Sequence, residues 1–173
     1  SSPKTSAPWR PPKPPPARPE PQIEALRYDD GTRYTGGTKG NRPHGRGRML
    51  FPNGEIYEGQ WLNGLQHGRG AYFFPDGSSY EGEWRRGRIW GRGTYTFANG
   101  GQLTGIWESN GLVEGAGKYI FDNGDNYEGE WRNDRIWGRG AYTFKNGREI
   151  RGLWESNRLV RQSPADESSE DTP

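Results

Sequence analysis

The sequence predicts an all-β protein: an elongated single-sheet solenoid of stacked antiparallel β-hairpins with extended tails. Three observations predict this fold: a motif recurs about every 23 residues, two classes of residue alternate within it, and Asn-Gly or Asp-Gly pairs separate the copies. Alternation is the pattern of a half-buried strand, and such pairs are typical of hairpin turns. Only 28% of the residues are hydrophobic, too few for a conventional two-layer core. We therefore expect neighbouring hairpins to bury one another.

Composition divides the chain into three zones. Residues 1–22 hold nine of the 14 prolines, and their four basic residues outnumber one acidic residue, which predicts an extended polyproline II tail. Residues 162–173 hold four acidic residues and no basic one, which predicts a disordered acidic tail. Residues 23–161 contain every aromatic residue except Trp9. We expect this zone to fold as a β-domain of about five full repeats with partial units at its ends.

The repeat is most easily followed by its first residue. Tyr34, Tyr57 and Tyr80 are 23 residues apart, and the series continues at Leu103, Tyr127 and Ile150. The step to Tyr127 contains one extra residue, which we assign to the turn at 109–111. Residues 80–100 match residues 127–147 at 17 of 21 positions. A block of two repeats has therefore been duplicated.

A strand register follows from the repeat itself. Each unit reads Tyr-Glu-Gly-Glu-Trp, a six-residue link, then Gly-Arg-Gly-x-Tyr-x-Phe. Symmetric pairing about the link at 85–90 predicts the pairs Tyr80–Tyr95, Gly82–Gly93, Trp84–Gly91, Glu83–Arg92 and Glu130–Arg139. A ring above a glycine shields the bare backbone, and opposite charges across strands stabilise a sheet. We expect a one-sided core of aromatic rings and glycines.

Residue patterns for catalysis or for metal binding are missing from the sequence. There is no cysteine, and His44 and His67 are the only histidines. The glycine-rich run 40–47 lacks the Lys-Ser/Thr ending and the following helix of a phosphate-binding loop. Glu81 and Glu83 lie beside arginines and are predicted to form a salt-bridged surface. We expect no enzyme activity, no cofactor and no metal.

Charge and hydropathy also exclude classes of partner. The 24 basic residues are nearly balanced by 22 acidic ones, so we expect no nucleic acid partner. No window approaches the ~18 apolar residues of a membrane-spanning helix, so we expect no transmembrane segment. The lack of cysteine permits a reducing compartment without requiring one.

One stretch of the repeat carries a resemblance to a known family. Its clearest copy is Tyr57-Glu58-Gly59-Gln60-Trp61-Leu62-Asn63-Gly64-Leu65-Gln66-His67-Gly68-Arg69-Gly70, which resembles a membrane occupation and recognition nexus (MORN) repeat. The resemblance extends over about 26–160. It implies a curved, twisted single sheet with a groove. It also implies a scaffold role, as in ciliary radial spoke heads, cytoskeletal assemblies, membrane junctions and accessory domains of lipid kinases.

The chain departs from the family pattern at several positions. The family histidine is replaced by Trp90 and Trp137 in repeats three and five, and by Glu114 in repeat four. The first tyrosine becomes Leu103 or Ile150, and Gly37-Thr38 stands where the first repeat should have its tryptophan. Because Trp90 and Trp137 replace this histidine, we do not expect these two positions to be ordinary solvent-exposed surface.

The first candidate partner site is a pair of tryptophans. Trp90 and Trp137 occupy equivalent positions in the duplicated block and share the parity of the polar face or its rim. Arg88 and Arg135 flank them, and exposed Trp beside Arg is typical of an interface anchor. The alternative is that each ring folds over a neighbouring hairpin turn.

A second candidate is an apolar interruption of the polar face. Ile106 and Leu153 stand where other repeats have Glu or Gln, and Ala116 replaces an arginine. This pattern suits a partner helix or strand, or else is ordinary surface variation.

Two further candidates are charged. Arg85, Arg86 and Arg132 are expected to cluster with other arginines along one edge, since the duplication would stack equivalent turns; anionic lipid or an acidic peptide could bind there. Nearby glutamates largely offset this charge. In the first tail, Lys13, Pro16 and Pro19 match a proline-motif ligand for an aromatic groove, although a tail that acts as a spacer or wraps a larger assembly fits the composition better.

From these observations we expect a non-enzymatic scaffold that joins other proteins of a multi-subunit assembly. Its expected location, taken from the resemblance, is cytoplasmic, in the axoneme of a cilium or in the cytoskeleton. One alternative is a peripheral adaptor for anionic phospholipid. Another is an accessory subunit in an organelle interior after leader removal, because the chain starts at Ser1 and its first 19 residues are free of acids. Open sheet ends favour end-to-end association or capping by another chain.

Overall fold

The computed structural model describes residues 23–164, which form 13 β-strands. The strands are β1 (Ile23–Arg27), β2 (Arg33–Lys39), β3 (Arg42–Leu50), β4 (Ile56–Leu62), β5 (Leu65–Phe73), β6 (Ser79–Arg85), β7 (Arg88–Thr96), β8 (Gln102–Glu108), β9 (Gly111–Ile120), β10 (Asn126–Arg132), β11 (Arg135–Thr143), β12 (Glu149–Glu155) and β13 (Arg158–Gln162). The proline-rich tail 1–22, with Lys13, Pro16 and Pro19, lies outside the described residues. So does the acidic tail from residue 165 onward.

All 13 strands form one antiparallel sheet whose strand order follows the chain from β1 to β13. Six hairpins, from β2–β3 to β12–β13, follow the lone strand β1. Every connection is short, so each strand pairs with its neighbour in sequence. The predicted fold class, an all-β single sheet of stacked hairpins, is confirmed.

Each hairpin is closed by a two-residue turn in which both residues have positive φ. In the turn of β4–β5, for example, Asn63 has φ 48° and Gly64 has φ 88°. These are the dihedrals of a type I′ turn, whose twist matches that of the paired strands. The predicted six-residue link is therefore too long, because the strands continue through most of it. The Asn-Gly and Asp-Gly pairs form the turns between hairpins instead, where Gly54 donates to the Phe51 carbonyl at 3.0 Å.

The predicted register is correct far from the turn and wrong near it. Tyr80 pairs with Tyr95 and Gly82 with Gly93, as expected, but Trp84 pairs with Ile89 instead of Gly91. The two-residue turn sets the register at one end of the hairpin and the glycine pair sets it at the other. The difference of two residues is absorbed by a bulge in which Glu83 lies opposite three residues, 90–92, and Gly91 has φ 82°. We call this geometry the wide bulge, and a bulge with one extra residue the narrow bulge.

The predicted charge pairs at these bulges are replaced by backbone contacts. The Glu83 carboxylate accepts a hydrogen bond from the backbone N–H of Arg92, and Glu130 does the same for Arg139. No ion pair joins the side chains of either predicted pair within the described part of the chain. Each glutamate therefore accepts a hydrogen bond from a backbone N–H in the bulge, which has no carbonyl partner on the neighbouring strand.

Repeat four accommodates its extra residue differently from the prediction. The turn of β8–β9 still has two residues, Ser109 and Asn110, so the assignment to 109–111 is wrong. Instead β9 is 10 residues long, and Gly105 pairs with Gly115 after a bulge of one residue. The hairpin β12–β13 has the same narrow bulge beside Leu153. Hairpins four and six thus form a second structural class.

The core is the predicted stripe of rings and glycines. A Cβ on Gly93 would lie 2.1 Å from the Tyr80 hydroxyl, and the same crowding recurs at Gly70 and Gly140. Each buried indole reaches the preceding hairpin: the Trp107 Nε1 donates to the Gly93 carbonyl at 3.0 Å. Four further indole bonds repeat this contact, from Trp61, Trp84, Trp131 and Trp154. These indole hydrogen bonds therefore link each hairpin to the one before it.

Candidate functional site

The sheet has an aromatic face, where the core rings pack, and a polar face on the other side. On the polar face, one arginine in most hairpins lies between two glycines of a bulge strand. These exposed arginines are Arg46, Arg69, Arg92 and Arg139. Repeat four has Ala116 between its glycines instead. The sequence placed Arg92 and Arg139 on this face, but the row itself was not predicted, although the recurring Gly-Arg-Gly motif indicates it.

The structure joins two of the predicted candidate sites into one. The Arg85 guanidinium lies 5.3 Å from the centre of the Trp90 ring, and Arg132 lies 5.2 Å from that of Trp137. Cation–π stacking holds each ring against the edge of its own hairpin. Trp90 remains 36% exposed, so the stack can still be contacted from solvent.

Trp137 lines a groove on the polar face. Its neighbours there include Thr104, Ala116 and Glu130. The small side chain of Ala116 leaves space where other repeats place an arginine. The two equivalent tryptophans therefore have unlike surroundings, despite the duplication.

Arg88 and Arg135 are engaged with the next hairpin turn. The Nη1 atom of Arg88 donates to the Ser109 hydroxyl at 2.6 Å, and Arg135 donates to Ser156 at 2.7 Å. The neighbouring backbone is held too, since the Ile89 N–H donates to Asn110 at 2.9 Å. These two arginines thus link hairpins along the edge, and they stay candidates for partner binding.

Ile106 and Leu153 are exposed on the polar face, at 36% and 39%. Both belong to the narrow-bulge hairpins, in which Ile106 pairs directly with Glu114. The wide bulge, whose amide donates to Gln60, Glu83 or Glu130 in three other hairpins, is absent at both positions. Local geometry therefore supplies a reason for the apolar residues, and their predicted role in partner binding stays a prediction.

The predicted arginine cluster is divided along the edge. Arg85 and Arg86 lie at the turn of β6–β7, and Arg132 lies at the turn of β10–β11. The turn of β8–β9, with Glu108, stands between them. At ~4.8 Å per strand, equivalent positions four strands apart are separated by about 19 Å. Equivalent turns do lie along one edge, as expected, but the arginines do not form one cluster, because another hairpin intervenes.

A groove on the aromatic face lies beside Leu103, with Phe97, Tyr119, Trp131 and Ile136 in its walls. Elsewhere the first-position tyrosine packs against the indole of the following hairpin, as Tyr80 does against Trp107 with ring centres 5.8 Å apart. Leu103 is too short to fill that volume. Sequence reasoning noted this replacement without predicting the groove.

Between hairpins, tyrosines bind carboxylates beside the aromatic face. The Tyr142 hydroxyl donates to Asp125 at 2.7 Å, and this hydrogen bond lowers the pKa of Asp125. Burial, with that same contact, raises the pKa of Tyr142 to about 12. Asp125 stays ionised and Tyr142 neutral at ordinary pH, so the pair orders the link between hairpins and has no acid–base role near neutrality.

Residues 23–164 contain no group of three or more histidine and acidic side chains placed to hold a metal ion. In the same range no helix is long and apolar enough to cross a membrane.

Comparisons with known proteins bear on the whole sheet. A family model described as MORN repeat matches residues 34–56, 57–79, 80–102, 104–126 and 127–147. These five segments together cover well over half of the chain. No curated protein matches the chain.

The solved structures with similar folds include the SAS-4 (dCPAP) TCP domain in complex with a proline-rich motif of Ana2 (dSTIL) of Drosophila melanogaster. The two chains are 16% identical, the similarity covers 85% of this chain and 86% of that chain, and the TM-score is 0.42. A likeness of this size carries no conclusion about function.

Proposed function

The chain belongs to the MORN repeat family, whose repeats form non-enzymatic scaffolds for proteins or membranes, and from this premise we propose that it orders partner proteins within a ciliary or cytoskeletal assembly. The location is taken from the family. The mechanism is geometric: a sheet one layer thick presents its polar face along the whole series of hairpins, so binding positions recur at fixed spacing.

One observation carries the proposal. The same Arg–Trp stack occurs twice, at Arg85–Trp90 and at Arg132–Trp137. The two stacks are four strands apart, a spacing of about 19 Å. Arginine and tryptophan are the residues that most often dominate binding at interfaces. Two such anchors, held rigidly by the sheet, would set the position and orientation of a partner that contacts both.

The test is affinity purification from cells that express the full chain, with mass spectrometry of what is retained. We expect Trp90→Ala/Trp137→Ala to lose its main partners, because each alanine removes an indole and the stack it makes. Leu62→Ala/Leu65→Ala is the matched control, since these residues are similarly exposed at another hairpin turn. Retention of every partner by a folded tryptophan variant would refute the anchor role. Partners drawn from neither cilia nor cytoskeleton would refute the location.

A second candidate function is a peripheral adaptor for anionic phospholipid. It is favoured by one turn, in which Arg85, Arg86 and Arg88 occur within four residues. Flotation with vesicles of phosphatidylcholine and phosphatidylserine separates the two functions. An adaptor would float only with the anionic lipid and would lose binding in Arg85→Glu/Arg86→Glu/Arg132→Glu. A scaffold without lipid affinity would stay at the bottom of the gradient with either vesicle.

A further inference from the structure

The polar face has a groove at the C-terminal end of the sheet. Arg139, Arg151 and Arg161 line it, one from each of the last three strands, and Glu128 is the acidic residue in its wall. Ser163 and Pro164, the last described residues, line the same groove. The Ser163 N–H donates to the Arg151 carbonyl at 2.9 Å, which holds the chain against the sheet at this point. The chain therefore leaves β13 inside a basic groove.

These arginines are poorly neutralised by the rest of the sheet. Among residues 23–164 a single ion pair is formed, between Arg151 and Glu149. Glu130, which lies on the strand beside Arg139, directs its carboxylate to a backbone N–H instead. Arg151 is thus paired with Glu149, whereas Arg139 and Arg161 have no carboxylate at ion-pair distance within that range.

The sequence that follows Pro164 has the opposite charge. Asp166, Glu167, Glu170 and Asp171 occur within six residues, and residues 162–173 contain no basic residue. At ~3.3 Å per residue, the seven residues that follow Pro164, up to Asp171, can reach about 23 Å. At ~4.8 Å per strand, this spans four to five strands, from β13 back to β9. The arginine of β5 is eight strands away, about 38 Å, and is out of reach.

We propose that the acidic segment 166–171 folds back across the polar face and binds the groove formed by Arg139, Arg151 and Arg161. Its far end reaches Lys118 of β9, an exposed basic residue of the same face. Tethering raises the effective concentration of the segment to the millimolar range, so its own chain is favoured over a second copy as the occupant. Bound there, the segment covers the C-terminal part of the polar face and leaves Arg46, Arg69 and Arg92 uncovered.

The absence of cysteine allows a clean test in the full chain. A nitroxide spin label would be attached to the cysteine of the Ser169→Cys variant. In NMR spectra at low salt, the label broadens the signals of backbone amides that lie near it. We expect strong broadening at Lys118, Arg139 and Ala141, and at least five-fold weaker relaxation enhancement around Arg69. Raising the salt should reduce the broadening, because the contacts are ionic and largely exposed.

Matched variants identify the contacts. Arg139→Gln/Arg151→Gln should lose most of the broadening, whereas Arg69→Gln, which changes an equivalent position out of reach, should leave it unchanged. Equal broadening in all three proteins, or none in the parent chain, would overturn the proposal. Isotope-labelled chain mixed with spin-labelled, unlabelled chain tests the occupant: broadening in that mixture would assign the groove to a second copy. None of these results depends on the scaffold function.

Discussion

At the scale of the residue, the Tyr80 hydroxyl lies where a side chain on Gly93 would begin. Tyr57 and Tyr127 are placed in the same way above Gly70 and Gly140. All three rings are 0% exposed, although the sheet has a single layer. Burial of this kind depends on a backbone that the ring can touch, which only glycine provides. The low aliphatic content of the chain follows from this device.

We predict that Gly93→Ala destabilises the protein by about 3 kcal/mol, because the new Cβ and the Tyr80 ring cannot both fit. The measurement is the free energy of unfolding in urea. Gly77→Ala is the control: its Cβ would meet no atom within 4 Å, but its φ is 91°. It should cost about 1–2 kcal/mol through backbone strain alone. Equal losses in the two variants would contradict the steric explanation, and Tyr80→Leu should partly rescue Gly93→Ala.

We predict that stability falls at alkaline pH. Burial raises the pKa of Tyr80 and of Tyr127 to about 12, above the ordinary tyrosine value of 10.0. The folded state holds these protons more tightly than the unfolded state, so the contribution is complete below about pH 10 and is lost as the pH rises through about 12. Urea midpoints followed alongside tyrosinate absorbance would measure it. Tyr80→Phe/Tyr127→Phe should show a shallower decline, and an equally steep one would exclude these two hydroxyls as the cause.

At the scale of the element, the hairpin is controlled by a conflict between its turn and its glycine pair. The type I′ turn and the Gly82–Gly93 pair require registers that differ by two residues, and the bulge at Gly91 reconciles them. In β8–β9, whose second strand is one residue longer, the hairpin has the narrow bulge instead. Leu112 then packs against Gly115, where an added Cβ would lie 3.0 Å from the Leu112 side chain. Hairpins of one sequence family thus adopt two geometries.

We predict that Arg86→Asn stabilises the protein by about 0.5 kcal/mol. Arg86 occupies the first turn position with φ 48°, where asparagine is preferred to other residues with a side chain. Asn63 and Asn133 already occupy the equivalent positions. Thermal unfolding would show a higher midpoint for Arg86→Asn. Arg85→Asn should show no increase, because Arg85 lies in a strand and its guanidinium stacks on Trp90. A lower midpoint for Arg86→Asn would mean that the arginine side chain makes a contact of its own.

At the scale of the whole molecule, each hairpin contacts only its neighbours in the sheet. Stability of such a solenoid is approximately a sum over units and their interfaces. Indole hydrogen bonds, such as that from Trp84 to the Gly70 carbonyl at 3.0 Å, are the repeated links at those interfaces. The duplicated block should therefore be removable as a unit.

We predict that deletion of residues 80–126 leaves a folded protein with a lower thermal midpoint. Ser79 would then be followed by Tyr127, and the Trp131 indole would meet Gly70 in place of Trp84. A deletion of 81–126, one residue shorter, is the control: it shifts every later side chain to the opposite face of the strand. Circular dichroism should show a sheet for the first deletion and an unfolded chain for the second. Identical behaviour of the two would contradict register control by the repeat.

The sequence by itself determined the period, the single sheet, the pairing of Tyr80 with Tyr95 and the core of rings above glycines, because these follow from local alternation and from a glycine at each contact. Only the tertiary structure decided the wide bulge at Gly91, the Arg85–Trp90 stack and the basic groove at β11–β13. The bulge and the stack depend on how the turn and the glycine pair of one hairpin are reconciled, and the groove depends on three adjacent strands. Local alternation fixes which face a residue occupies, but it does not fix these pairings between strands.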